Sequence, residues 1–256
     1  MIGRRELERR AAHLGISVQH VELDYVLNHL LAQIALDPRD LVFRGGTALA
    51  RVYWPDFRIS EDLDFISPGS ADYLQDLLNR IVRRSAETIG LDLQFEFGRR
   101  YDDRFPSFVR WTAPWGTEGE LLIDVVALQA PRLSAQPRGL VLAYSDLAGA
   151  PPLTTMDIHE ILANKWMMLD DREEPRDLFD LWWGLTRQEV RFENIAAAHR
   201  QCYGYGPMSA SIERARRLGP AWMERLSHQL SDLPPFATVL ATIEQAFTKW
   251  RETASS

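Results

Sequence analysis

Between Ser70 and Ile89 the apolar residues recur every three or four positions, at Leu74, Leu77, Leu78, Ile81, Val82 and Ile89. That spacing places them on one face of a helix. Ser70 and Asp72 suit its start, Arg80, Arg83 and Arg84 its end, and Gly90 its stop. Leu91 to Phe97 then alternates strictly between apolar and polar residues, which predicts a half-buried strand. Phe108 to Thr112 predicts a second strand. A turn through Trp115-Gly116-Thr117-Glu118-Gly119 leads into the run Leu121 to Leu128, apolar except for Asp124. Upstream, Gly3 to His13 predicts a short charged helix stopped by Gly15. Ser17 caps a longer one to about Leu36, with Val21, Tyr25, Leu27, Leu30, Leu31 and Ile34 on one face and Asp37-Pro38 as its end.

Pro151-Pro152 marks the expected domain boundary, giving an α/β portion over 1–150 and an all-helical one over 151–256. Helices are expected over Met156–Asp170, Pro175–Leu185, Phe192–Cys202, Met208–Leu218, Ala221–Leu230 and Pro235–Arg251, with a frayed tail from Glu252. Glycine and proline at Tyr203 to Pro207 and at Gly219-Pro220 separate them. No internal repeat or low-complexity tract is visible.

The densest chemistry lies between these patterns. Leu41-Val42-Phe43 predicts a short strand that runs through Arg44 into Gly45-Gly46-Thr47 and a helix from about Thr47, closed by Trp54-Pro55. Paired glycines let a ligand approach the main chain. A helix starting behind them offers free N–H groups and a positive dipole end, which suits phosphate. Asp62 and Asp64 follow in an extended segment, Asp62 to Ile66. At i and i+2 on a strand they point to one face. Two such acids repel unless a divalent cation lies between them, and oxygen-only ligands suit Mg²⁺. A lone carboxylate in an apolar strand, Asp124, is costly without a partner, unless a register edge lets it reach solvent.

Gly-Gly-Thr, a short helix and then Ser60-Glu61-Asp62-Leu63-Asp64 resemble the signature of the AbiEii/AbiGii (MenT-like) nucleotidyltransferase toxin family. The resemblance implies a nucleotidyltransferase-type mixed sheet with helices, followed by a helical bundle that closes over the nucleotide. It implies that Asp62 and Asp64 hold Mg²⁺ and that Asp124 is a third metal ligand or the base. Gly45, Gly46 and Thr47, with Ser60 beside them, would cradle the phosphates of an NTP, assisted by Arg44, Arg51 or Arg58. A phosphate on Ser60 would then repel the incoming triphosphate. The family's Glu-x4-Lys motif is matched by Glu160 and Lys165, and its Asp-x-x-Asp motif by Asp177 and Asp180. Lys165 would neutralise phosphate charge, and Asp177 would hold Lys165 in position or help orient the acceptor. Glu160 would join the nucleotide-binding residues, with a salt bridge or the helix surface as its alternative. Asp180 is read as structural, and both aspartates alternatively as N-terminal helix charge after Pro175. The family's C-terminal small-residue-or-Asn-x3-Arg motif is absent in clean form, since no Gly or Asn stands four before Arg214, Arg216, Arg217 or Arg225.

Composition changes this picture in three places. A formal charge of −7 speaks against a surface that grips nucleic acid everywhere, while leaving room for a local path along Arg99, Arg100, Arg104, Arg110, Arg214, Arg216 and Arg217. Of the 29 basic residues only Lys165 and Lys249 are lysines, the usage expected of a GC-rich genome, so each surviving lysine is informative. The single cysteine, Cys202, excludes an internal disulfide. With a charged start, Met1 to Arg10, and no long apolar run, it points to the cytoplasm and away from the membrane. The six histidines lack zinc-ligand spacing, and Trp166, Trp182 and Trp183 are expected to pack. The implied biology is the toxin of a toxin–antitoxin or phage-defence system, with a cognate antitoxin and the tRNA 3′ end or another RNA as acceptor. Transfer to a protein or small molecule, or nucleotide binding without catalysis, are the alternatives.

Overall fold

The strand patterns converge on one seven-stranded mixed sheet of order β3-β4-β5-β2-β1-β7-β6. The computed structural model describes residues 2–37, 40–55, 57–100, 103–147, 149–187, 189–230 and 232–254. Two helices lead, α1 (Arg4–Leu14) and α2 (Val18–Leu36). Gly15 ends α1 at φ 68°, and the Ser17 hydroxyl caps α2 by accepting from the His20 N–H at 3.3 Å. Pro38, the expected stop of α2, lies outside the described residues. β1 (Val42–Arg44) runs into a four-residue helix α3 (Gly45–Ala48), continued by a π-helical turn, Leu49–Tyr53. Then come β2 (Asp62–Ser67), α4 (Ala71–Ile89), β3 (Leu93–Phe97), β4 (Arg104–Thr112) and β5 (Glu118–Ala127). Two short strands, β6 (Gln136–Arg138) and β7 (Leu153–Thr155), complete the sheet.

β4 begins four residues before the expected Phe108, because Pro106 lies within it. A proline cannot donate to a ladder, so the sequence pattern stops short there. β6 and β7 are three residues each, too short to show any alternation.

One face of the sheet is the core. Phe43 lies opposite Phe65, with rings 5.3 Å apart, and Leu63 and Phe65 lie opposite Ile123 and Val125. All five are fully buried, and α2 packs on β5 and α4 on β3. α2 is buried well beyond its apolar stripe, since Glu22, Asp24, Asn28 and His29 are also enclosed. Buried polar groups must be partnered, and here the partners are specific. Glu22 accepts from the indole N–H groups of Trp111 and Trp115, each at 2.9 Å, and from the Thr117 hydroxyl. Asp24 is ion-paired with Arg51 and accepts from the Tyr144 hydroxyl at 2.8 Å.

The chain separates into two compact units, Met1–Met156 and Asp157–Ser256. Pro151-Pro152 precede β7, which pairs with β1 and so stays in the first unit's sheet. The second unit comprises α5 (Ile158–Asp171), α6 (Pro175–Leu185), α7 (Phe192–Tyr203), α8 (Ser209–Ala215), α9 (Trp222–Leu226) and α10 (Phe236–Ala254). α8 and α9 are shorter than expected because a 3₁₀ segment, Arg216–Ala221, carries Pro220 between them. α10 runs past Glu252 to Ala254, while Ser255 and Ser256 lie outside the described residues. Trp166 is the centre of this unit, stacked on Phe247 at 5.6 Å and edge-on to Phe192 at 5.1 Å. No helix among the described residues is long and apolar enough to cross a membrane.

Candidate active site

The site is built on the face of the sheet opposite the core. β2 and β5 pair in parallel with Asp64 directly opposite Asp124 and Asp62 opposite Leu122. Residues opposite one another share a face, as do i and i+2 on one strand. Asp62, Asp64 and Asp124 therefore leave the sheet on the same side. Arg44 joins them, since it lies opposite Asp64 across the β1–β2 pair. Among the described residues Asp124 is also ion-paired with Arg104 of β4, at 2.6 Å.

The glycine turn starts at the residue after Arg44, so register alone brings it to Asp64. Gly45 adopts φ +77°, which strains any residue with a Cβ, and a Cβ there would overlap the Asp64 carboxylate. Gly46 is equally confined. Its absent Cβ would lie 2.9 Å from Arg58 Nη2 and 3.0 Å from Ser60 Oγ, both on buried side chains. The buried Thr47 hydroxyl donates to the Asp62 main-chain oxygen, which ties the first helical turn to the acidic strand. The leading N–H groups of a helix have no partner within it, and this helix begins at Gly45, against the Asp64 carboxylate. The tie at Thr47 and the packing of Ser60 on Gly46 hold the turn to the acidic strand.

The three arginines near the turn take different places. Arg51 turns into the interior to meet Asp24. Arg58 is buried beneath Gly46, with its guanidinium 5.2 Å from the Phe57 ring. Arg44 is the one on the carboxylate face. Farther along the sheet Arg110 pairs with both Glu96 and Glu120. In the helical unit Arg216 pairs with Glu213 and Glu244, and Arg217 with Glu173. The arginine path suggested by the sequence is thus largely neutralised by local acids.

In the second unit Lys165 is 10 % exposed and its Nζ lies 2.9 Å from Asp177 Oδ1 and 2.8 Å from Asp180 Oδ2. Arg172 donates to Asp177 as well, at 3.0 and 3.2 Å. Burial alone would raise the Asp177 carboxyl, but Lys165 and Arg172 outweigh it and hold it below the ordinary carboxylate range. An ammonium has three N–H donors, and the two aspartates occupy two of them. Glu160 is buried in the first turn of α5, behind the Asp157 cap.

The i, i+3 spacing puts Asp177 and Asp180 on one helical face, with Asp180 read as structural, and both in fact meet Lys165. Arg172, the further donor to Asp177, carries no such signal in the sequence. The sequence reading missed Arg104 as the partner of Asp124, because Pro106 hid the strand that carries it.

Comparison with solved structures gives the same fold at low identity. MenT4, the nucleotidyltransferase toxin Rv2826c from Mycobacterium tuberculosis H37Rv, superimposes with a TM-score of 0.69 at 19 % identity, over 96 % of this chain and 89 % of that one. JHP933 from Helicobacter pylori gives 0.65 at 18 %, over 94 % and 97 %. No curated protein matches the sequence significantly. The family model of the AbiEii nucleotidyl transferase toxin, type IV toxin–antitoxin system, matches residues 26–249, the greater part of the chain and all of the site residues above. The chain therefore belongs to the AbiEii family and is a nucleotidyltransferase toxin of the type IV toxin–antitoxin class.

Proposed function

We propose that this toxin transfers the nucleoside monophosphate of an NTP to an RNA acceptor, with the tRNA 3′ end as the favoured target. A hydroxyl oxygen of the acceptor attacks the α-phosphorus, the bond to the bridging oxygen breaks, and pyrophosphate leaves. The observation that carries this reading is the shared face of Asp62, Asp64 and Asp124 next to a glycine turn with no room for a Cβ. Oxygen donors of this kind suit Mg²⁺, which would draw the three carboxylates of this face together. Bound there, Mg²⁺ would lend Lewis-acid charge to the phosphate oxygens.

The chain's own residues do the rest. The main chain of Gly45, Gly46 and Thr47 receives the phosphates, with Ser60 shaping the turn and Arg44 adding positive charge. Asp124 accepts the proton of the attacking hydroxyl or shares the cation. Lys165, fixed by Asp177 and Asp180, is the rigid point charge assigned to the phosphate chain, and Glu160 is assigned with it to nucleotide binding. The toxin would act in the cytoplasm, where NTPs and RNA are found, held in check by its antitoxin, and would serve in phage defence.

One observation favours a second reading. The paired arginines and the charge of −7 leave little positive surface for RNA, which suits a protein or small-molecule acceptor. Incubating the purified chain with Mg²⁺, each α-labelled NTP and fractionated lysate decides between them. Label in RNA supports the proposal, label in protein or small molecules supports the second reading, and no label in any fraction overturns both.

A further inference from the structure

Asp124 shares its face with a cation from the protein itself. Arg104 lies opposite Val126, diagonal to Asp124, and its Nη2 is 2.6 Å from Asp124 Oδ2. The two partners differ sharply in freedom. The Arg104 side chain is 55 % exposed, whereas Asp124 is 12 % exposed and fixed in the middle of β5. Rotation of one side chain is enough to break the pair, with no movement of the sheet. A guanidinium at this distance lowers the negative potential of the carboxylate group, and a divalent metal on the same group meets it as a like charge. A planar guanidinium fork is also well shaped for phosphate oxygens.

We propose that Arg104 and the divalent cation compete for Asp124, and that Arg104, once displaced, moves its charge to the triphosphate. Arg104 is thus a positioning residue that neutralises and aims the third carboxylate before metal binds, then becomes an anion contact when metal and nucleotide are present. This rests on the assignment of Asp124 to the metal site made above. It predicts a sign opposite to that of a merely structural arginine, because removing Arg104 tightens metal binding while weakening nucleotide binding.

The test uses the full-length chain and Mn²⁺ alone as the probe, with free Mn²⁺ followed by electron paramagnetic resonance. Arg104→Gln should bind Mn²⁺ about tenfold more tightly than the parent, within the usual range of site-to-site coupling. In an Asp124→Asn background the same change should have much less effect, since the pair is already broken. At saturating Mn²⁺, a non-hydrolysable NTP analogue should bind Arg104→Gln several-fold more weakly. Mn²⁺ affinity that is unchanged or reduced in Arg104→Gln, while Asp124→Asn does weaken it, overturns the competition alone. Unchanged Mn²⁺ binding in Asp124→Asn overturns the metal assignment together with the competition. Tighter Mn²⁺ with unaltered nucleotide affinity overturns the transfer of Arg104 to the triphosphate. Arg104 is exposed, so the variant should unfold within a degree or two of the parent.

Discussion

Asp64 and Asp124 stand directly across from one another in the parallel β2–β5 pair, so their carboxylates emerge side by side from adjacent central strands. Two residues 60 apart in sequence meet through strand register. A slip of one residue in either strand would send one carboxylate to the core face. The register is held by Leu63, Phe65, Ile123 and Val125, all fully buried on that opposite face. The apolar core and the acidic site are therefore two consequences of one alignment.

Gly45→Ala tests how tightly the turn is coupled to the acid. The positive φ alone costs a residue with a Cβ about 1–2 kcal/mol, and the overlap with Asp64 adds to it. Thermal unfolding should fall by several degrees, and nucleotide affinity measured by calorimetry should fall with it. A variant that is as stable as the parent and binds nucleotide equally would show that the close approach to Asp64 is unimportant.

The Lys165 cluster predicts a pH dependence. Asp177 titrates below its unfolded value, so its stabilisation is fully present above about pH 4, the ordinary carboxylate value. It is lost as pH falls through the depressed native value. Asp177→Asn should destabilise the chain at neutral pH by roughly 1–3 kcal/mol, because Lys165 and Arg172 lose a charged acceptor while Asp180 still pairs with Lys165. It should also flatten the decline in melting temperature below pH 4. A variant with the same acid slope as the parent would place the titration elsewhere.

Glu22 predicts a structural role for a charge inside α2. It accepts from Trp111, Trp115 and Thr117, three donors from the β4–β5 hairpin. In Glu22→Gln one oxygen becomes an amide donor facing donors, at a cost of about 1–3 kcal/mol. Near-UV circular dichroism should register the loosened indoles. An unchanged spectrum and melting temperature would mean that the hairpin is held by packing alone.

The sequence displayed most of this molecule where one physical rule acts locally. The α4 stripe, its Ser70 and Gly90 caps, and the pairing of Asp62 with Asp64 at i and i+2 are all local, and all were legible. What depends on distant contacts was not. Glu22, Asp24 and Asn28 look like the polar face of α2 until the hairpin and Tyr144 cover them. The π-helical turn at Leu49–Tyr53 has no composition signal. It is recognised from the Trp54 N–H bonding the Leu49 carbonyl five residues back, at 2.7 Å. Strand β4 was half hidden by Pro106, and Arg104 with it. The three acids could be named in advance, whereas their common face is a property of register and had to be seen.

The most direct test of the central claim compares the parent with Asp64→Asn, which keeps the shape of the side chain beside Gly45 and removes its charge. Both are incubated with Mg²⁺, an α-labelled NTP and total RNA, after circular dichroism shows them equally folded. The account predicts transfer of label by the parent and a loss on the order of a thousandfold in the variant, the scale expected when a metal's several kcal/mol of charge stabilisation is removed. Transfer by Asp64→Asn at the parental rate would contradict it.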